Sequence, residues 1–141
     1  NNLSSSNYSV HEILTMASII EQEAVTTDDR AKVSQVIYRR LDTNMSLGMD
    51  VTAYYGVQKS LKEPLTQSDL NSSNPYNTRL TSFIGLPVGP ICNPSIVSIN
   101  ASLNPADTNY EYFYADITTG KVYFAEDAKG FYEIQEELGD K

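Results

Sequence analysis

The distribution of proline divides this chain of 141 residues into three parts. All six prolines lie between Pro64 and Pro105, in a stretch that includes SSNPYNTR and IGLPVGPICNP. Proline lacks a backbone N–H, and its ring disrupts the interior of a helix or a central strand. Long regular elements are therefore predicted only before and after this stretch, which should form ordered loops with short helices.

Two amphipathic helices are predicted before the prolines. Residues 10–25 contain neither glycine nor proline and place apolar residues at helical spacing. Ser9 is the predicted N-cap, and Glu12 stands at the capping-box position. A second helix is predicted from about Asp28 to Leu41, with Thr26 or Thr27 as its N-cap. We expect the two helices to form an antiparallel pair.

The C-terminal part predicts a β-hairpin. YEYFYADI and KVYFAE are rich in strand-forming residues and are separated by Thr118, Thr119 and Gly120. A terminal helix is predicted from Asp127 to Leu138, and short helices are predicted near 51–55, 66–70 and 94–103. The predicted fold class is α+β, with an N-terminal helix pair, a Pro-rich loop region with short helices, and a C-terminal β-hairpin with a terminal helix.

Length and composition indicate one globular domain. Hydrophobic residues make up 40% of the chain and charged residues 20%, as in ordinary folded domains. We expect residues 1–8 to be a disordered or cloning-derived N-terminus and residues 9–141 to be a single folded domain. The chain does not begin with Met and has no run of roughly 18 apolar residues. We therefore expect a fragment whose anchor or signal lies outside it.

Composition also excludes several functions. The net charge is −8, and residues 107–141 carry nine of the acids but only three of the bases. No basic stripe is available for nucleic acid, and an anionic membrane surface is disfavoured for the same reason. Cys92 and His11 are the only cysteine and histidine. A Cys/His zinc site and an internal disulfide are therefore excluded, and no metal-ligand spacing is present.

Glu21 is the acid whose position indicates chemistry. Helical spacing places it about 40° from Ala17, inside the apolar face, whereas Glu12 and Glu23 lie roughly 120–140° away on the solvated side. A carboxyl group against apolar side chains should have a raised pKa and stay protonated, as a general acid requires. The alternative is a structural glutamate held by backbone amides, tyrosine hydroxyls or an arginine.

Arg40 lies on the apolar face of the second helix, whereas Arg39 points away. Arg40 is predicted to anchor a buried acid, with a bidentate grip on a substrate carboxylate or a clamp on loop carbonyls as alternatives. Ten of the aromatic residues are tyrosines, and several border the predicted loops. A tyrosine ring with its hydroxyl suits sugars, although most of these tyrosines are expected in the core or the hairpin.

Several ordered motifs resemble those of the endolytic murein transglycosylase family, the MltG or YceG-like proteins of the bacterial cell envelope. The matching stretches cover nearly the whole chain. They are ASIIEQE (17–23), RRL (39–41), MDVTAYYG (49–56), LTQSDL (65–70), NPYNT (74–78), GLPVGPICNP (85–94), SLNPAD (102–107), YFYAD (112–116) and GKVYF (120–124). The chain departs from the family pattern at Arg39, Val51 and Lys121, and the common terminal histidine is absent.

This resemblance implies a peptidoglycan lytic transglycosylase that uses no metal and no cofactor. Glu21 matches the family's catalytic glutamate. When protonated, it would donate to the glycosidic oxygen between N-acetylmuramic acid and N-acetylglucosamine. It would then accept the proton of the C6 hydroxyl as the 1,6-anhydro ring closes. The candidate residues for positioning the glycan are Asp50, Tyr76, Asn77, Thr78, Asn93 and Arg40.

The resemblance also implies a cellular location and partners. We expect an extracytoplasmic catalytic domain of a single-pass membrane protein, anchored by a segment absent from this chain. Its partners would be peptidoglycan glycan strands and cell-wall synthases, not nucleic acid. Two other functions stay open. One is a non-catalytic glycan-binding module, and the other is a pyridoxal-phosphate-dependent aminodeoxychorismate lyase, which needs a Schiff-base lysine in an apolar pocket.

Overall fold

The computed structural model describes residues 7–60, 62–116 and 119–138. These residues form six helices and one two-stranded sheet. In chain order the elements are α1 (Val10–Glu23), α2 (Thr27–Asp42), α3 (Asp50–Gly56), α4 (Gln67–Leu70), α5 (Ile96–Leu103), β1 (Tyr112–Ala115), β2 (Val122–Ala125) and α6 (Ala128–Glu137). The predicted α+β class is confirmed, and only short helices occur among the prolines.

Local capping sets where the first two helices begin. The Glu12 backbone N–H donates to Ser9 Oγ at 3.1 Å, and the Ser9 N–H donates to Glu12 Oε1 at 2.9 Å. This is the predicted capping box. Thr26 caps α2 by accepting from the Asp29 N–H at 3.1 Å. Only residues 24–26 separate α1 from α2, so the two helices are neighbours in space as well as in sequence.

The core lies where α1, α2 and α5 meet. Its fully buried apolar residues include Met16, Ile19, Ile20, Val33, Val36 and Ile37. The buried Tyr38 side chain reaches α5, where its hydroxyl donates to the Ser102 carbonyl at 2.6 Å. Tyr8 packs edge-on against Tyr38. Residues 1–6, the rest of the N-terminus predicted to be disordered or cloning-derived, lie outside the described residues.

Gln35, on α2, holds the segment that leads into the hairpin. Its side chain is fully buried, and its amide donates to the Tyr110 carbonyl at 3.1 Å. Its carbonyl oxygen accepts from Thr108 Oγ1 at 2.9 Å and from the Tyr110 N–H at 3.0 Å. A buried amide with all these partners fixes the backbone strongly, so α2 determines where β1 starts.

The predicted β-hairpin is confirmed. β1 and β2 pair antiparallel, with Tyr112 opposite Ala125. Of the predicted turn residues, Thr118 lies outside the described residues, and Gly120 has a φ of 76°, which glycine adopts without strain. The terminal helix α6 covers the hairpin by stacking Phe131 on Tyr112, with ring centroids 5.3 Å apart. No helix in the described ranges is long and apolar enough to cross a bilayer.

Candidate active site

A groove of about 470 Å³ lies between the end of α1, the start of α3, β1 and α6. Pockets for small ligands typically measure roughly 300–1,000 Å³. The lining combines two carboxyl groups, two guanidinium groups and four aromatic rings. These belong to Glu23, Asp50, Arg40, Arg79, Tyr112, Phe113, Tyr114 and Phe131. Rings beside charged groups suit a ligand that has both apolar faces and hydroxyls.

Glu23, the last residue of α1, places its carboxyl group in this groove. Burial there and the negative charge of Asp50 raise the pKa of Glu23 to about 8. Both causes disfavour the ionised form of the carboxyl group. At neutral pH the carboxyl group is therefore mostly protonated, which is the state a general acid requires.

The sequence prediction for Glu23 was wrong, because it placed this residue on the solvated side of the helix. The residues that enclose it come from the start of α3, from β1 and from α6. They lie far along the chain, and the periodicity of α1 carries no information about them. The available signal was the second acid of the ASIIEQE motif, two residues after Glu21.

Glu21 faces α5 instead of the groove. Its Oε1 accepts from the Ser95 N–H at 3.0 Å and from Ser98 Oγ at 2.8 Å. Its Oε2 lies 3.5 Å from Arg30 Nη2. The hydrogen bonds from Ser95, then Ser98, and the charge of Arg30 lower the pKa of Glu21 to about 2.

The predicted raised pKa of Glu21 is therefore wrong. Hydrogen bonds to the ionised carboxylate outweigh its partial burial. This is the structural alternative stated above, a glutamate held by a backbone amide and an arginine. Ser95 is also the N-cap of α5, so the carboxylate lies where the helix dipole favours negative charge. Glu21 thereby ties α1 to α5.

Arg40 contacts the groove, but most of its donors are used on the backbone. Its Nε donates to the Glu111 carbonyl at 2.8 Å. Its Nη1 donates to the Ser46 and Leu47 carbonyls at 2.9 and 3.0 Å. The guanidinium lies 5.0 Å from the centre of the Tyr112 ring, and burial lowers the pKa of Arg40. Among the three predicted roles, the structure shows the clamp on loop carbonyls.

Asp50 is the second predicted binding residue in the groove. It is the first residue of α3, and its carboxylate forms an ion pair with Arg79. Its side chain is 57% exposed, so it stands at the rim of the groove instead of its floor. Asp50 and Arg40 are thus brought together with Glu23, and this cluster joins three segments that are distant in sequence.

Asn77 and Thr78 lie away from the groove lining and are fully buried. The Asn77 amide donates to the Leu70 and Ser72 carbonyls at 3.0 and 2.6 Å. Thr78 Oγ1 accepts from the Met49 N–H at 2.9 Å. A fully buried side chain has no surface to offer a glycan. Contrary to the predicted contact with substrate, both residues hold the Pro-rich loops in place.

Tyr76 and Asn93 are also absent from the groove lining. Tyr76 packs edge-on against Tyr55, with ring centroids 4.7 Å apart. Asn93 is exposed in the loop before Pro94. Of the six residues predicted to position a glycan, the described structure therefore places two, Asp50 and Arg40, beside Glu23.

Known proteins resemble this chain over most of its length. The model of the YceG-like family matches residues 1–137. The chain is 42% identical over 121 residues to the endolytic murein transglycosylase of Bacillus subtilis (strain 168), which covers 86% of this chain and 32% of that protein. It is 38% identical over 128 residues to the endolytic murein transglycosylase of Streptococcus pneumoniae serotype 2, covering 87% of this chain and 23% of that protein.

A solved structure is also similar. The crystal structure of a yceG-like protein from Listeria monocytogenes superposes with a TM-score of 0.82 at 40% identity. The match covers 94% of this chain and 42% of that one. The chain spans only 23% to 32% of the length of the curated relatives described above.

Proposed function

Because this chain belongs to the YceG-like family, we propose that it is the catalytic domain of an endolytic lytic transglycosylase acting on peptidoglycan. It cleaves the bond between N-acetylmuramic acid and N-acetylglucosamine and leaves a 1,6-anhydromuramic acid end. The observation that carries the proposal is the position of the Glu23 carboxyl group in an aromatic-lined groove, where burial and Asp50 raise its pKa. The names of the curated relatives supply the substrate class.

One carboxyl group is enough for this reaction. Hydrolysis of a glycoside normally uses two carboxyl groups, one of which activates water or attacks the sugar. In a lytic transglycosylase the C6 hydroxyl of muramic acid replaces water. Protonated Glu23 donates its proton to the glycosidic oxygen as the bond to the muramic acid anomeric carbon breaks. The Glu23 carboxylate then takes the C6 hydroxyl proton as that oxygen bonds to the same carbon, which restores the acid.

Glu23 suits the role of proton donor better than Glu21, the residue predicted from sequence. A carboxyl group with a pKa of about 2 is ionised at neutral pH and has almost no proton to give. The Glu21 oxygens are also occupied by Ser95, Ser98 and Arg30. We propose that Glu21 is a positioning residue, which holds the end of α1 against α5 so that Glu23 stays in the groove.

Asp50 has two electrostatic effects in this scheme. Its negative charge raises the pKa of Glu23 and so keeps the proton on the donor. The same charge at the rim favours the positive charge that develops on the sugar ring as the glycosidic bond breaks. The ion pair with Arg79 fixes the position of the Asp50 carboxylate.

We also propose a wider biological setting, which membership of the family supports. The domain acts outside the cytoplasm on glycan strands, and a membrane anchor lies in a segment outside this chain. Cell-wall synthases are its expected protein partners. The mechanism above needs only the side chains of the groove and the substrate's own hydroxyl.

The test is the formation of anhydromuramyl ends on uncrosslinked peptidoglycan, measured by mass spectrometry. The wild-type chain, Glu23→Gln and Glu21→Gln are compared, with Glu136→Gln on the exposed side of α6 as a matched control. We expect anhydro ends from the wild type and the control but not from Glu23→Gln. Wild-type binding of strands without any anhydro product would favour the non-catalytic glycan-binding module.

A further inference from the structure

The groove is bordered by the edge of a strand. Tyr112, Phe113, Tyr114 and Ala115 all line it. Side chains alternate between the two faces of a strand, so four consecutive lining residues indicate that the backbone edge faces the groove. Among the described residues, β1 pairs only with β2. Its other edge therefore presents peptide groups to the groove.

The hydrogen-bond pattern identifies which peptide groups face outward. The Asp116 N–H donates to the Lys121 carbonyl at 2.8 Å. Asp116 and Lys121, which stand opposite each other next to the Ala115–Val122 pair, therefore form a hydrogen-bonded pair. By alternation, Phe113 and Ala115 are in non-hydrogen-bonded pairs, and their N–H and C=O groups point away from β2. Next to this edge, the Glu111 carbonyl accepts from Arg40 Nε at 2.8 Å, whereas the Glu111 N–H donates to the Ala125 carbonyl of β2 at 3.0 Å. The open edge of β1 therefore begins after Glu111.

The edge therefore offers two donors and two acceptors. No backbone hydrogen bond to Phe113 or Ala115 from outside the hairpin occurs among the described residues. Two residues of antiparallel strand span about 6.8 Å. An extended chain that carries successive amide groups can pair with both positions, in the way that peptides add to exposed sheet edges.

A cation lies at one end of this edge. Arg40 already holds the Glu111 carbonyl and two loop carbonyls, but its Nη2 has no hydrogen-bond partner among the described residues. An arginine beside an open strand edge favours a ligand that carries a carboxylate as well as amides. The acetamido group of a sugar has a single amide and no carboxylate, so it matches the edge less well.

We infer that the outer edge of β1, at Phe113 and Ala115, binds the peptide stem that muramic acid carries, with Arg40 facing a carboxylate of that stem. This inference rests on the proposed function. It adds that the groove binds the peptide stem of the substrate as well as the sugar. The enzyme then prefers strands that bear stems to bare glycan strands, because the edge pairs with an amide chain only when a stem is present.

The test compares two substrates, uncrosslinked strands with their stems and the same strands after an amidase has removed the stems. The rate of anhydro-end formation is measured for the wild type, Ala115→Pro and Glu136→Gln. Proline removes the outward N–H, and edge positions of this kind accept proline without losing a ladder bond. Glu136→Gln, on the exposed side of α6 and outside the groove lining, leaves the edge of β1 intact and is the control.

We expect the wild type and Glu136→Gln to cleave stem-bearing strands about tenfold faster than stripped strands, which is the effect of one or two hydrogen bonds. Ala115→Pro should cleave the two substrates at equal rates, because the stem no longer has this N–H to pair with. Equal wild-type rates on the two substrates would overturn the inference and leave the proposed function intact. If the wild type formed no anhydro ends from both substrates, the proposed function would be overturned instead.

A binding measurement keeps the inference testable if Ala115→Pro does not fold. Backbone amide NMR shifts of the wild-type chain are followed during titration with a muramyl tripeptide, and separately with an N-acetylglucosamine oligomer. We expect the Phe113 and Ala115 amides to shift with the muramyl peptide and not with the oligomer. Unchanged amides at both positions, or equal shifts with the two ligands, would contradict recognition of the stem.

Discussion

Glu21 and Glu23 lie two residues apart at the end of α1, and their carboxyl pKa values move in opposite directions, to about 2 and about 8. Two residues rotate a side chain by about 200° around a helix, so one carboxyl faces the start of α5 and the other faces the groove. Carboxyl pairs with pKa values pushed apart are typical of sites that divide roles. Here the ionised carboxylate of Glu21 holds α1 against α5, and the protonated carboxyl group of Glu23 is the one proposed to react.

Glu23→Gln should abolish cleavage and preserve the fold. The amide resembles the protonated carboxyl in size and charge but cannot transfer a proton, and general acid catalysis contributes about 10²–10⁴-fold. Anhydro-end formation is the readout, with circular dichroism and thermal unfolding to check folding. Glu136→Gln should behave as the wild type in every measurement. Wild-type rates from Glu23→Gln would remove this residue from the mechanism.

Glu21→Gln should destabilise the domain while cleavage persists well below the unfolding temperature. The charge-assisted hydrogen bonds from Ser95 and Ser98 weaken and the ion pair with Arg30 is lost, which costs about 1–2 kcal/mol of unfolding free energy. Urea unfolding at neutral pH measures this loss. Full stability combined with complete loss of cleavage would instead support Glu21 as the catalytic acid predicted from sequence.

The destabilisation by Glu21→Gln should depend on pH. The folded-state pKa of Glu21 is depressed from 4.5 to about 2. Its stabilising effect is therefore fully present above the unfolded value and is lost as pH falls through the folded value. The difference in unfolding free energy between wild type and variant should be constant above pH 4.5 and shrink towards pH 2. A difference that stays constant over this whole range would show that the carboxylate charge does not matter.

Cleavage should decline as pH rises through about 8, because Glu23 must be protonated to act. Asp50→Asn removes the negative charge that raises this pKa, so the alkaline decline should begin at lower pH. The exposed Asp107→Asn is the matched control and should leave the profile unchanged. Profiles of kcat/KM against pH measure both effects. An alkaline decline unmoved by Asp50→Asn would show that Asp50 does not act on the proton donor.

The elements of this fold are readable from sequence because their signals are local. The Ser9–Glu12 capping box and the Thr26 cap mark where the first two helices begin. The prolines exclude long elements from the middle of the chain, and the two runs of strand-forming residues predict the hairpin. Only part of the candidate site can be predicted from the sequence. Arg40 stands out on an apolar helix face, whereas the enclosure of Glu23 depends on α3, β1 and α6, whose packing no local pattern encodes.

Asn77 illustrates the opposite error, in which a residue with a structural role is predicted to bind substrate. A small polar residue between turn signals resembles a binding residue, but an irregular loop must satisfy its own buried carbonyls, and a buried amide side chain does so. Asn77 does this for Leu70 and Ser72. Sequence does not distinguish the two cases, because both place a polar side chain in a Pro-rich loop.

Asn77→Ala should therefore reduce stability. The substitution leaves the Leu70 and Ser72 carbonyls without their donor and the Arg79 N–H without its acceptor, Asn77 Oδ1, at 3.2 Å. Buried groups that lose their partners should cost about 3 kcal/mol in total. The exposed Asn93→Ala is the matched control, and urea unfolding should show no change for it. Wild-type stability of Asn77→Ala together with lost cleavage would restore the substrate contact predicted from sequence.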